Sequence, residues 1–245
     1  MKNLKITLFT LLFVSLSVPS FAQNVDEIIS KYITTIGGAE KLNALKGIKM
    51  EMTTNTQGME IPVEMVMVKG GKMYVKINLQ GKEITQMGYD GTSMWNTNFM
   101  TMKAEKMDAE MSSNMQLNNA DFPDALLDYK SKGYNAEYVG KETKEGTECY
   151  KVKFTKKPTM QAGVKTDDIT YYFFDTENNL PIATETEIKE GPSKGQKSIS
   201  TMSDYQEVDG IYFPFSMNQG GQELKVKKIS TNPQVDEKAF ALPTE

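Results

Sequence analysis

The sequence predicts a mainly β protein with some α-helix, organised on one antiparallel sheet. Three observations carry that expectation. From Ile48 to Leu79, apolar residues take every second position: Ile48, Met50, Met52; then Ile61, Val63, Met65, Met67; then Met73, Val75, Ile77, Leu79. Polar residues such as Lys49, Glu51, Thr53, Glu64, Lys76 and Asn78 stand between them, so these segments read as strands with one apolar and one wet face. Turn signals punctuate the runs at Gly70-Gly71, Asp90-Gly91, Asn178-Asn179, Asp209-Gly210 and Gly220-Gly221, and short turns of this kind join antiparallel neighbours. The period changes between about Lys103 and Gly133, where Met107, Met111 and Met115 recur every fourth position, a helical spacing.

Residues 1–22 read as an export signal. Lys2 and Lys5 precede an apolar run from Ile6 to Val18, and Ser20-Phe21-Ala22 places small residues where signal peptidase needs them, with cleavage expected after Ala22. The run is too short for a comfortable membrane span, and Gln23 stands where a lipoprotein signal requires cysteine. A single domain is expected over residues 23–245, exported and without a transmembrane segment.

In that domain Asp26 is expected to cap a helix carrying Val25, Ile28, Ile29, Tyr32, Ile33 and Ile36, ended by Gly37-Gly38; a shorter helix follows from Ala39 to Leu45. Strands are expected at residues 48–57, 59–69, 72–79, 83–89 and 93–97, the last containing Trp95, the sole tryptophan. The insertion follows, with a second helical turn beginning at Pro123 and carrying Leu126, Leu127 and Tyr129. Strands resume with Glu148 to Thr155, then Ile169 to Phe174 and Ile182 to Ile188. Three more lie between Ser198 and Ile229, and Val235 to Phe240 closes with a helical turn, for about ten strands in all. Pro214, among Tyr212, Phe213 and Phe215, marks an edge or bent strand.

Composition narrows the function. The chain has 245 residues and a net charge of −4, with scattered lysines and no arginine, which argues against a nucleic-acid footprint. There is no histidine, which removes the commonest general base and zinc ligand. Cys149, the sole cysteine, can form no intramolecular disulfide and has no histidine partner for nucleophilic catalysis. An enzyme is not expected, and neither a cofactor nor a metal is called for.

The segments IISKYITTIGGAEKLNALK (Ile28 to Lys46), DYQEVDGIYFPFSM (Asp204 to Met217) and NPQVDEKAF (Asn232 to Phe240) resemble the outer-membrane lipoprotein-sorting proteins of Gram-negative bacteria, relatives of the periplasmic carrier LolA. The resemblance implies a strongly bent antiparallel sheet forming an incomplete β-barrel, helices over its concave face, and an apolar cavity that receives acyl chains. That carrier uses a barrel arginine to hold its lid helices; here none exists to take the role.

Candidate cavity-lining residues are Met50, Met52, Val63, Met65, Met67, Met73, Val75 and Trp95 from the sheet and Met107, Met111 and Met115 from the insertion, which would serve as lid. Methionine suits such a wall because its unbranched, polarizable chain adapts to ligands of no fixed shape. The competing readings are an ordinary methionine-filled core, a static cover and, for Trp95, a packed strand aromatic. The expected function is a periplasmic carrier or binding protein, monomeric, for lipid or lipoprotein acyl chains or another apolar ligand. The alternative is a non-catalytic interaction module with a fully packed core, whose partners would be envelope proteins.

Overall fold

The computed structural model describes residues 24–56 and 58–243, so the leader expected over residues 1–22 lies outside the described residues. Two helices, α1 (Val25–Thr35) and α2 (Ala39–Ala44), precede six strands: β1 (Gly47–Thr56), β2 (Met59–Val68), β3 (Met73–Leu79), β4 (Lys82–Tyr89), β5 (Met94–Asn98) and β6 (Lys103–Lys106). Helix α3 (Ala109–Asn119) leads to β7 (Asn135–Lys144), β8 (Thr147–Thr155), the short β9 (Thr159–Gln161) and β10 (Val164–Thr166), and then β11 (Ile169–Asp175). The chain ends with β12 (Pro181–Glu187), β13 (Lys197–Val208), β14 (Ile211–Gln219), β15 (Gln222–Thr231) and a 3-10 turn at Glu237–Phe240.

Thirteen strands form one curved antiparallel sheet in the order β6-β5-β4-β3-β2-β1-β15-β14-β13-β12-β11-β8-β7. Its two edges do not pair, so the barrel is incomplete. Only the junction of β1 with β15 joins the two ends of the chain; every other neighbour is near in sequence. The alternation read from the sequence fixes the pairing. Ile48 lies opposite Met67 and Met50 opposite Met65, while Met67 meets Met73 and Met65 meets Val75, which places these side chains on one face.

That inner face is half filled. Ile28, Ile29 and Tyr32 of α1, with Ile36 at its C-cap, form a buried stripe against Val152, Phe154 and Phe174, and the segment 120–134 adds Leu126, Leu127 and Tyr129. The Tyr32 and Phe174 rings stand 5.4 Å apart, and Phe154 is ringed by Tyr129, Tyr134 and Tyr172 at 6.0, 5.8 and 5.8 Å. The outer face holds two smaller clusters, one of Val66, Tyr74 and Phe240, the other of Cys149, Phe173 and Ala183. Cys149 is fully buried and burial pushes its thiol up, consistent with a packing role.

Several elements differ from the sequence expectation. Asn24, not Asp26, caps α1: its extended backbone lets the side-chain oxygen accept from the Asp26 amide at 3.0 Å. Asp26 is thereby free to accept from Tyr129 and from Lys130, the latter at 2.6 Å, and these bonds hold its carboxyl below the usual value. The insertion opens with a strand, β6, and its only described helix is α3. No helix forms after Pro123, because the Asp124 carboxylate accepts from the Leu126 amide at 2.7 Å and Asp128 takes a positive φ of 52°. Strand β7 leaves no clear period in the sequence, because its alternation is broken by a bulge between Tyr138 and Gly140. Pro214 sits inside the sheet yet costs no ladder bond on its β15 side, because β14 pairs with β15 only from Ser216 onward.

Gly37 has a specific steric reason. Its φ is +128°, and a Cβ there would stand 2.5 Å from the Gly210 carbonyl oxygen, where α1 meets the β13–β14 turn. Gly37→Ala is expected to lower unfolding free energy by roughly 1–3 kcal/mol, combining positive-φ strain with a backbone clash. Urea denaturation checks this, and a loss below about 0.5 kcal/mol would mean that the junction yields easily.

Candidate functional site

Strands β1 to β4 carry their apolar alternation past the region that α1 and segment 120–134 cover. The result is an open trough of about 520 Å³ on the inner face. Met52, Val63, Met65, Val75, Ile77 and Leu224 form much of its wall; Ile61, Leu79, Met87 and Phe99 extend the apolar surface, and Thr54, Thr56, Gln86, Gln219 and Gln222 supply the polar positions. No charged side chain lines it. On the outer face of the same strands Lys49 pairs with Glu64 and Lys76 with Glu83. Period-two alternation sorts the two chemistries across the sheet.

The wall is not closed on itself. Met65, Val75, Ile77 and Leu224 remain only partly buried, and Phe99 is 46% exposed at the rim. Thr54, a buried polar residue of the lining, is satisfied: its hydroxyl donates to the Glu223 carbonyl at 2.9 Å and accepts from Gln222 at 3.0 Å. A groove of similar size, about 540 Å³, lies outside α1 against residues 126–131, but Asp26, Asp128 and Lys130 line it. The trough is the better seat for an apolar ligand.

The expected lining residues divide. Met52, Val63, Met65 and Val75 line the trough. Met50 packs against the core, and Met67 and Met73 share the same face one row further along the strands, outside the lining, with Met73 buried. Trp95 does not line it: the indole lies across Gly88 on the outer face and donates to the Phe240 carbonyl at 2.9 Å. Met107, Met111 and Met115 do not form one helical face. Asp108 caps α3, accepting from the Met111 amide at 2.7 Å, which leaves Met107 outside the helix, and Met111 is 45% exposed.

What α3 buries is polar. Ser112 accepts from the Met94 amide at 3.1 Å, and Asn119 donates to the Gly71 carbonyl at 2.7 Å, tying the helix to the β1–β6 half of the sheet. On its other side Asn114 exchanges two bonds with Met160, and Glu110 accepts from the amides of Ala162 and Gly163. The helix therefore bridges β5 and the β9–β10 hairpin by hydrogen bonds where sequence periodicity had suggested apolar packing. Ile61, Ile77, Leu79 and Met87 are legible in the alternation but carry no signal that singles them out; Leu224, Gln219 and Gln222 come from the β14–β15 hairpin, which no local pattern connects to β2.

Segment 120–134 is likewise pinned by charge. Tyr32 donates to Asp124 at 2.6 Å, Lys132 to the Asp124 carbonyl at 3.0 Å, and Tyr134 to Asp121 at 2.8 Å. Lys156 reaches Asp121 and Asp168, each at 3.2 Å. Burial raises the Asp124 carboxyl above its ordinary value, opposed by the Tyr32 bond. The folded protein thus holds this proton where the unfolded chain releases it, so Asp124 makes stability fall as pH rises from the ordinary value of 3.8 through the raised one. Asp124→Asn is expected to remove that decline and to gain on the wild type above it, with no difference at lower pH; urea titrations across acidic pH measure the slope.

Among the described residues, no cluster of three or more histidine, cysteine, aspartate or glutamate side chains could hold a metal ion, and no helix is long and apolar enough to cross a membrane. No protein-family model and no curated protein matches the chain. Solved structures do match in fold. A LolA superfamily protein from Nitrosomonas europaea superposes with a TM-score of 0.54 at 13% identity, covering 90% of this chain and 98% of its own. A DUF1329 family protein from Desulfovibrio piger gives a TM-score of 0.54 at 13% identity, over 89% of this chain and 97% of its own. The fold is LolA-like.

Proposed function

We propose that this protein, with its LolA-like fold, is an exported, periplasmic carrier or binding protein whose ligand is the acyl chain of a lipid or lipoprotein. The observation that supports this reading is the trough: an uncharged, methionine-rich concave wall left partly open by the helices that fill the other half of the barrel. A fully packed interaction module would have no use for such a wall. Burying acyl chain contributes roughly 0.8 kcal/mol per methylene, so ten buried methylenes give ~8 kcal/mol before the costs of ordering. Binding of that strength needs no charged contact, which matches the lining. Envelope proteins that deliver or accept the lipid would be its partners.

Native mass spectrometry of protein gently purified from the periplasm, followed by titration with an acyl-chain fluorophore, tests the reading. Retained lipid and saturable probe binding are expected. Protein that carries no lipid and leaves the probe unbound would return the trough to a structural role.

A further inference from the structure

The turns at one end of the trough leave large apolar side chains in solvent. Met100 is 96% exposed, the highest value among the large apolar side chains described, and Phe99, Met102 and Met59 are each near half exposed. Single exposed apolar residues are ordinary, but three of these four stand within the β5–β6 turn.

Four hairpins end side by side here. Thr56 pairs with Met59 at the β1–β2 turn, Leu79 with Lys82 at β3–β4, Asn98 with Lys103 at β5–β6 and Gln219 with Gln222 at β14–β15, and the strand order makes each turn the neighbour of the next. Successive turns stand two strands, about 10 Å, apart. The trough reaches this row through Thr56, Leu79, Phe99, Gln219 and Gln222. A second hollow, against Met59 and Gln80, shares Ile61 and Leu79 with it.

Negative charge is set back from the tips. Residues 56–59, 79–82, 98–103 and 219–222 contain no acidic residue and two lysines, Lys82 and Lys103, in a chain whose net charge is −4. Glu60, Glu83, Glu105 and Glu223 lie on the strands behind them, where Glu83 pairs with Lys76, Glu223 pairs with Lys225 and Glu105 accepts from the Asn98 side chain. The β5–β6 turn also satisfies its own backbone. The Asn98 side-chain oxygen accepts from the amides of Met100 and Thr101 at 3.0 and 3.3 Å, and the Met102 amide donates to the Asn98 carbonyl at 2.7 Å. Those three amides need no water when the tip leaves it.

We propose that this row of turns docks on the surface of a phospholipid membrane, with Met100 and its apolar neighbours entering among the acyl chains and Lys82 and Lys103 at the level of the phosphates. Apolar tips flanked by lysine and free of carboxylate fit an interface that is apolar within and negatively charged at its surface. The inference rests on the carrier reading for what the contact achieves: a trough whose end sits on the membrane takes up an acyl chain without passing it through water.

The test is flotation of the purified protein with vesicles of equimolar phosphatidylcholine and phosphatidylglycerol, beside titration with an acyl-chain fluorophore in solution. Wild type is expected to float with the vesicles. Met100→Asp and Met59→Asp should each weaken vesicle binding by about tenfold or more, the effect of withholding one methionine side chain from the acyl layer. Val139→Asp, at a half-exposed position on the far edge strand β7, should match wild type. Met59 and Met100 do not line the trough, so both of their variants should bind the fluorophore as wild type does. Fluorophore binding by a wild type that ignores vesicles would overturn the docking surface and leave the carrier reading standing. Equal flotation of wild type and Met100→Asp would overturn it as well. So would a wild-type dimer that Met100→Asp dissociates in analytical ultracentrifugation, which would give the tips to a second copy of the chain. Vesicle binding that depends on Met100, with no fluorophore bound by any variant, would support the docking surface and count against the carrier reading instead.

Discussion

Met65→Glu is expected to weaken binding of an acyl-chain fluorophore by about 100-fold or more while leaving the far-ultraviolet circular dichroism intact. Met65 lies in the middle of the trough wall, between Met50 and Val75 on the neighbouring strands, and is only partly buried. In the empty protein a carboxylate there can still reach water, so the fold tolerates it. A bound acyl chain would strip that water, and with no cation in the lining the carboxylate would stay unpaired at a cost of several kcal/mol. About 3 kcal/mol corresponds to the stated loss in affinity. Glu60→Gln, an exposed change in the same strand, provides the comparison and should leave the titration unaltered. Wild-type affinity in Met65→Glu would move the ligand elsewhere on the molecule.

Phe154→Ala is expected to cost about 3–5 kcal/mol of unfolding free energy. Phe154 is 1% exposed and stands where three parts of the chain converge: Tyr129 and Tyr134 from segment 120–134, and Tyr172 from β11. Truncation removes the buried ring and leaves a cavity that three rigid aromatic neighbours cannot close. Domains of this kind are stable by only about 5–15 kcal/mol, so the variant should unfold at much lower urea. A loss under about 1 kcal/mol would mean that segment 120–134 collapses into the space and is a softer cover than its packing suggests. The two variants separate the halves of the barrel, one affecting binding without stability and the other stability first.

The methionines show how far local pattern reaches. Alternation between Ile48 and Leu79 placed Met52, Val63, Met65 and Val75 on a common face, and pairing across β1, β2 and β3 brought them together as expected. The four-residue spacing of Met107, Met111 and Met115 was equally regular, yet Asp108 starts the helix after Met107, and Ser112 and Asn119 take the buried positions. Periodicity records which residues could share a face; it does not record which face a partner will cover. For α3 the partners are backbone groups, the Met94 amide and the Gly71 carbonyl, and such acceptors and donors leave no trace in the pattern of side chains. Trp95 illustrates the same gap: its place on the outer face depends on the absent side chain of Gly88 and on the carbonyl of Phe240, far along the chain.

By itself the sequence determined the class of fold, the position of most strands and hairpins, and the sorting of charge from apolar surface in β1 to β3, because these follow from nearest-neighbour geometry and a period of two. Only the tertiary structure decided that half the barrel is filled and half is open. That division depends on where α1 and segment 120–134 dock, through Phe174, Phe154 and the Tyr32–Asp124 bond, and on β15 returning from the C-terminal end to pair with β1 and add Leu224 to the trough. Contacts between residues so distant in the chain are chosen by shape and partner, and no local period encodes them.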